Sequence, residues 1–204
     1  MTRFAGLTGA TLDTTPTVCH ECIWWQSRSG REIDKRRWIR DTEDEWGAWG
    51  TVYYDDDGRL LGSMVFGPSG LFPRASELPA GPPSDDAVLV TCAYLTDPSK
   101  PWVMQSLFLT AIGEARERGG RALEAFAYRY GESVSAFERF NLHKTIFPRD
   151  FLSDFGFLTV RAHGRVELAR LELGGLQPVA EGTREKVLRV VRDAFVPAPA
   201  PQRP

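Results

Sequence analysis

Long apolar runs are missing from this chain, and nothing in it approaches the roughly 20 residues that a membrane-spanning helix requires. The opening stretch MTRFAGLTGATLDTTPT has no apolar core of the kind an export signal carries, so a cytoplasmic location is expected. An excess of one charge is missing too. The formal net charge is −2, which leaves no electrostatic footprint for nucleic acid or anionic lipid. Cysteine is scarce: three in 204 residues is an odd number, which argues against a disulfide framework and for a reducing compartment. No internal repeat is visible. Aromatic residues, by contrast, are plentiful, with 6 Trp and 12 Phe to build a core. The length fits one domain, read as residues 1–196, followed by a Pro-rich tail over 197–204.

The order of elements can be read from periodicity. Residues 17–26, TVCHECIWWQ, are dense in β-branched and aromatic side chains and predict a strand. REIDKRRWIRDTEDEWG has a loosely helical spacing and a stop at Gly47. WGTVYYDDDGRLLGSMVFGP predicts a hairpin turning at Asp57-Gly58. A Pro- and Gly-rich loop follows, and then AVLVTCAYL, a continuous apolar run of the kind found in strands covered on both faces. From Trp102 to Arg118 the apolar positions recur at steps of three and four, which predicts a helix. RALEAFAYR predicts another strand, SVSAFERFNLH a short helix, and PRDFLSDFGF a helix opened by Pro148 and closed by Gly156. GFLTVRAHGRVELARLEL gives two strands around AHGR, and EGTREKVLRVVRDAF a final amphipathic helix.

One stretch poses a chemical question. In AYLTDPSKPWVMQSLFLTAIGEARERGG an apolar strand ends in a turn and a helix begins, an outline in which a helix start meets an anion. Yet the turn, DPSKPWVM, contains no glycine.

Residues 87–157 resemble the core of the GCN5-related N-acetyltransferase (GNAT) superfamily. VLVTCAYLTDP is similar to that family's fourth strand, VMQSLFLTAIGEARERGG to the helix after it, ALEAFAY to the fifth strand, and FLSDFGF to the helix that ends in Gly-Phe. The opening CHECIWWQ also resembles that of divergent actinobacterial members. The resemblance implies an α/β (α+β) fold: a mixed, mostly antiparallel central sheet, helices on both faces, and a splay between the fourth and fifth strands. It further implies acetyl-CoA or another acyl-CoA as co-substrate and a small-molecule or protein amine as acceptor. Nucleic acid and membrane are not among the partners, and a homodimer is an admissible assembly.

The chain departs from the family pattern twice. Where the family keeps Arg/Gln-x-x-Gly-x-Gly/Ala, this sequence has SKPWVM, with Trp102 and Met104 at the glycine positions. Helical N–H groups persist there whatever the side chain, but an indole can fill the space of a phosphate. The side chains are thus expected either to line a reshaped site or to plug it, and plugging is the favoured expectation. The resemblance assigns acyl-CoA binding to Ala93, Tyr94, Leu95, Lys100, Trp102, Val103, Met104, Gln105 and Ser106, with Lys100 as a point charge. In the segment where many members have a tyrosine as general acid, this chain has Leu152, which holds no proton to give.

Glu124 and Tyr128 share a face of the ALEAFAY strand if its residues alternate. They are the candidate base and acid, the alternative for Glu124 being an ion pair with an arginine. Cys19-x-x-Cys22, with His20 between, has the look of half a metal site or a redox pair. However, no second Cys/His cluster accompanies it, and a strand would turn the two thiols to opposite faces, so a packing role or cleft lining is expected. Trp24, Trp25, Trp38, Trp46 and Trp49 are read mainly as core, with an aromatic acceptor pocket as the alternative. His143 and His163 are read as solvated. Two functions follow: an N-acyltransferase, or a member that keeps the fold as a binding module without catalysis. A third, an unrelated enzyme on a similar sheet, stays open because fold does not fix chemistry.

Overall fold

The computed structural model describes residues 3–29, 31–131 and 146–175. The helix expected over 181–195, the one expected over 133–143 with His143, and the tail lie outside the described residues. Strand β1 (Arg3–Gly6) is followed by two helical turns, α1 (Gly9–Leu12) and α2 (Thr17–His20), and by helix α3 (Lys35–Glu45). The hairpin β2 (Gly50–Tyr54) and β3 (Leu60–Pro68) leads through two short 3-10 turns to β4 (Ala87–Leu95) and helix α4 (Pro101–Glu117). Then come β5 (Ala122–Tyr128), the two-residue β6 (Phe147–Pro148), helix α5 (Arg149–Asp154), β7 (Leu158–His163) and β8 (Val166–Glu172).

Local chemistry accounts for most boundaries. The Asp34 carboxylate accepts from the N–H groups of Arg36 and Arg37 and so starts α3. Gly47 stops it at φ 90°. Asp55 accepts from the N–H groups of Asp57 and Arg59, and Gly58 takes the positive φ that the hairpin turn demands. Pro101 occupies the first turn of α4, where its missing N–H costs nothing.

Residues 17–26 correct the sequence expectation. They form a helical turn and a loop, and the strand at that edge of the sheet is β1 instead. The aromatic density there serves packing: Trp25 is buried against Phe72, Leu89 and Phe126 on one face of the sheet. Pro16 precedes the turn and hands it the first helical residue. Of the other tryptophans, Trp49 is buried, Trp38 and Trp46 are partly buried against the core, and Trp24 is exposed. Core is thus the role of four of the five.

The sheet runs β1-β2-β3-β4-β5-β8-β7, with β6 added beside β5. All pairs are antiparallel except β4–β5 and β5–β6. Helix α4 covers one face, burying Val103, Met104, Leu107, Phe108, Ala111 and Ala115 against β3, β4 and β5, and α5 adds Phe151, Leu152 and Phe155 to this cluster. The other face takes Trp25, Phe72 and the 3-10 turn Pro73–Glu77 after it, and α3 through Trp38 and Ile39. The expected mixed, mostly antiparallel sheet with helices on both faces is therefore present, and so is the splay. This is the arrangement that the resemblance implied.

Candidate functional site

The splay has a local cause. In β4 the register against β3 shifts between Val65 and Phe66: Val65 pairs with Cys92, but Phe66 pairs with Val90. Thr91 is the extra residue of a β-bulge, and bulges bend a strand and sharpen its twist. Pairing of β4 with β5 starts at Ala87 and Ala122 and stops at Val90 and Ala125, level with the bulge. Beyond it the strands part. The bulge also changes which side chains face α4: Val88 and Val90 do so before it, Ala93 and Leu95 after it.

The direction of the backbone groups past the bulge follows from one bond. The Thr96 N–H donates to the Leu61 carbonyl at 3.0 Å, so Thr96 belongs to the residues whose backbone groups point towards β3. By the two-residue period of an antiparallel ladder, so do Tyr94 and Cys92, while Ala93 and Leu95 turn their N–H and C=O groups towards the split. The opposite wall is partly taken. Beyond Ala125, β5 pairs with β6, Ala127 with Phe147 and Tyr128 with Pro148. Gly62 of β3 is tightly packed between β4 and α4: a Cβ there would stand 2.7 Å from the Tyr94 carbonyl oxygen and 3.0 Å from Val103 Cγ1.

At the start of α4 the side chains at the family's glycine positions turn inward. Met104 and Val103 are buried in the core, and Trp102 meets Tyr53 edge-on at 5.9 Å. Lys100 lies 3.4 Å from Asp97. Asp97 in turn accepts from the Ser99 hydroxyl and N–H. Hydrogen bonds from the Ser99 hydroxyl and then its backbone N–H, with a lesser contribution from Lys100, hold the Asp97 carboxyl below its ordinary value against the opposing effect of burial. The point charge expected of Lys100 is thus half-answered by a neighbour. One turn on, the hydroxyls of Ser106 and Thr110 and the amide oxygen of Gln105 are buried with no hydrogen-bond partner among the described residues.

Glu124 and Tyr128 do share one face of β5 with Phe126, since their antiparallel partners are Arg170, Val166 and Leu168. They are not in similar surroundings. Glu124 is 0% exposed and accepts from the Ser84 N–H at 2.8 Å, the Ser84 hydroxyl at 2.7 Å and Arg170 at 3.1 Å. This is the arginine ion pair named as its alternative. It lies on the side of the sheet away from α4, level with Leu89. Tyr128 is half-buried at the far end of β5, its ring 4.8 Å from that of Tyr130. Leu152 is fully buried.

A second buried carboxylate went unnoticed in the sequence. Glu167 of β8, opposite Ala127, accepts from Arg129, from Arg149 at 3.1 Å and from Thr159 at 2.5 Å. Burial disfavours its ionised form. The hydrogen bonds from Thr159 and Arg129 and the charges of Arg129 and Arg149 outweigh that and hold its pKa below the usual range. Its partners lie on three separate segments, which left no pattern in the sequence.

Among the described residues no group of three His, Cys, Asp or Glu is placed to hold a metal ion, and no helix is long and apolar enough to cross a membrane. No protein-family model matches the chain, and no curated protein matches it. Solved structures do. An N-acetyltransferase from Staphylococcus aureus Mu50 is similar at 16% identity over 85% of this chain and 99% of its own, with a TM-score of 0.48. The ribosomal-protein-S18-alanine N-acetyltransferase of Escherichia coli is similar at 11% identity over 89% and 98%, with a TM-score of 0.45. A candidate acetyltransferase of Salmonella typhimurium, solved with its cofactor acetyl-CoA, is similar at 17% identity over 88% and 98%, again with a TM-score of 0.45.

Proposed function

We propose that this chain is an N-acyltransferase that moves an acyl group from acyl-CoA to a primary amine. The observation that carries the reading is the pair of backbone positions, Ala93 and Leu95, turned into the split by the bulge at Thr91. An extended amide-bearing arm can bind to such groups as an added strand would. The same strand runs directly into the start of α4, where the Trp102 N–H group and the helix dipole favour an anion. With Met104 packed in the core, only Trp102 is left as a possible plug.

The bound thioester would supply an acyl carbon open to attack. Ala93 and Leu95 orient its arm along β4, and the helix start holds its diphosphate with help from Lys100. The amine attacks as the free base and gives its surplus proton to solvent. As the carbon–sulfur bond breaks, Tyr128 returns a proton to the sulfur. Glu124 takes no part in this reading, because three donors already occupy it.

Calorimetry with acetyl-CoA and CoA tests the proposal. Binding in the micromolar range is expected, weakened about five- to tenfold by Lys100→Ala, one charge-assisted contact. Trp102→Ala tightens binding if the indole obstructs the helix start and weakens it if the indole lines the site. No binding at millimolar ligand would support the second reading, a fold retained for binding a partner. Buried Leu152 at the tyrosine position and β6 against β5 favour that alternative. A panel of amines, read by release of the CoA thiol, then addresses the acceptor.

A further inference from the structure

Cys92 of β4, distant in sequence from Cys19 and Cys22, comes near both beside a buried lysine. Cys92 points from β4 to the face that Trp25 and Phe126 cover. Its thiol feels the charges of Cys19, Cys22 and Lys35, and burial, the largest influence, pushes it up to about 12. Lys35 is 8% exposed. Its Nζ donates to the Cys22 carbonyl at 2.8 Å and stands over the rings of Trp38 and Trp49 at 4.9 and 5.2 Å. All three cysteines are thiols.

The replacement of the expected strand by a turn changes what Cys19 and Cys22 can do. In a strand, residues three apart stand about 10 Å from one another and on opposite faces. Here His20 is helical, and Glu21 has φ −102° and ψ −2°, close to the third residue of a type I turn. Such a turn brings the Cα atoms of its first and fourth residues within about 7 Å. Disulfides span Cα separations of about 4.4–6.8 Å. The turn is also fixed at both ends. The Cys19 N–H donates to the Pro16 carbonyl at 2.8 Å, the His20 ring bonds the Thr15 carbonyl at 3.0 Å, and Lys35 holds Cys22.

We propose that Cys19 and Cys22 form a redox-active dithiol that exchanges with small disulfides of the glutathione type. Cys22, exposed to solvent, is the entry thiol. As thiolate it attacks one sulfur of the small disulfide, whose S–S bond breaks, and one small thiol leaves with a proton. Cys19 then attacks the Cys22 sulfur of the mixed disulfide, gives up its own proton, and releases the second small thiol. The protein loses two electrons and two protons to the small disulfide, which becomes two thiols. Cys92 stays a protonated bystander, since a thiol so buried offers almost no thiolate. None of this depends on acyl transfer.

The test uses the full chain in glutathione buffers of graded ratio, quenched with acid, alkylated and mapped by mass after trypsin. The peptide over residues 4–28 is expected two hydrogens lighter. Its equilibrium constant for disulfide formation should be about tenfold or more above that of the same chain in concentrated urea, because folding holds the turn ready. Cys19→Ser should accumulate a glutathione adduct on Cys22, Cys22→Ser should carry little on Cys19, and Cys92→Ser should behave as the parent. Lys35→Met, which releases the Cys22 carbonyl, should lower the constant towards the urea value. A folded constant equal to or below that in urea overturns the proposal, as does a bridge to Cys92. If either turn variant fails to fold, the parent and Cys92→Ser against urea decide the matter alone.

Discussion

Glu124 and Glu167 are both buried carboxylates of the β5–β8 ladder, but their surroundings are opposite in charge. At the closed end of the sheet, Glu124, Asp86 and Glu172 share the single guanidinium of Arg170. At the end where the strands part, Arg129 and Arg149 share the single carboxylate of Glu167. The first cluster locks the long loop to the sheet through Ser84. Among the described residues the second sets two guanidinium groups on one carboxylate, and Arg129 is largely exposed. A buried ion pair is therefore not one kind of object: at one end of this ladder one cation gathers three carboxylates, at the other one carboxylate gathers two cations.

The comparison can be broken most severely at Arg170. Arg170→Met strands the Glu124 carboxylate in the core, and a loss of about 3 kcal/mol is expected in urea unfolding. Adding Glu124→Gln should recover most of it, and failure of that rescue would show that Arg170 acts through Asp86 instead. Glu167→Gln should cost less, about 1–2 kcal/mol at neutral pH, since the cations it releases reach water. Its pH dependence has a definite sign. A carboxyl with a lowered folded pKa contributes stability above its unfolded pKa of about 4.3 and loses it as pH falls through the folded value. The gap between parent and Glu167→Gln should thus close in acid, and a gap constant with pH would remove the charge argument. Smallest of all, Arg129→Ala should change stability by at most about 0.5 kcal/mol, as exposed pairs do.

What the sequence disclosed and what it hid have separate physical reasons. Helix α4 was legible because its apolar residues keep the helical period, and β4 because it is covered on both faces. The hairpin was legible because Asp-Gly suits its turn. The bulge at Thr91 was hidden, since a run apolar on both sides reads the same with one residue more or less. For that reason Ala93 and Leu95 could be assigned to the site by resemblance, but the direction of their backbone groups could not. Strand β1 was hidden because RFAG is too short to show alternation. The segment 17–26 misled because β-branched and aromatic residues also suit a loop that buries Trp25. The choice for Glu124 between base and ion pair needed Ser84 and Arg170, each more than a local turn away.

Gly62 has a consequence for how the chain can vary. Any side chain there must displace the Tyr94 carbonyl and press on Val103, and those two belong to the strand and the helix that meet at the split. The spacing between sheet and helix is thus set by the absence of an atom. A population of variants at this position should divide sharply: glycine retained, or a shifted backbone one residue from both Ala93 and Leu95. An alanine at 62, harmless in most strands, would act here as a shim driven between two machined faces.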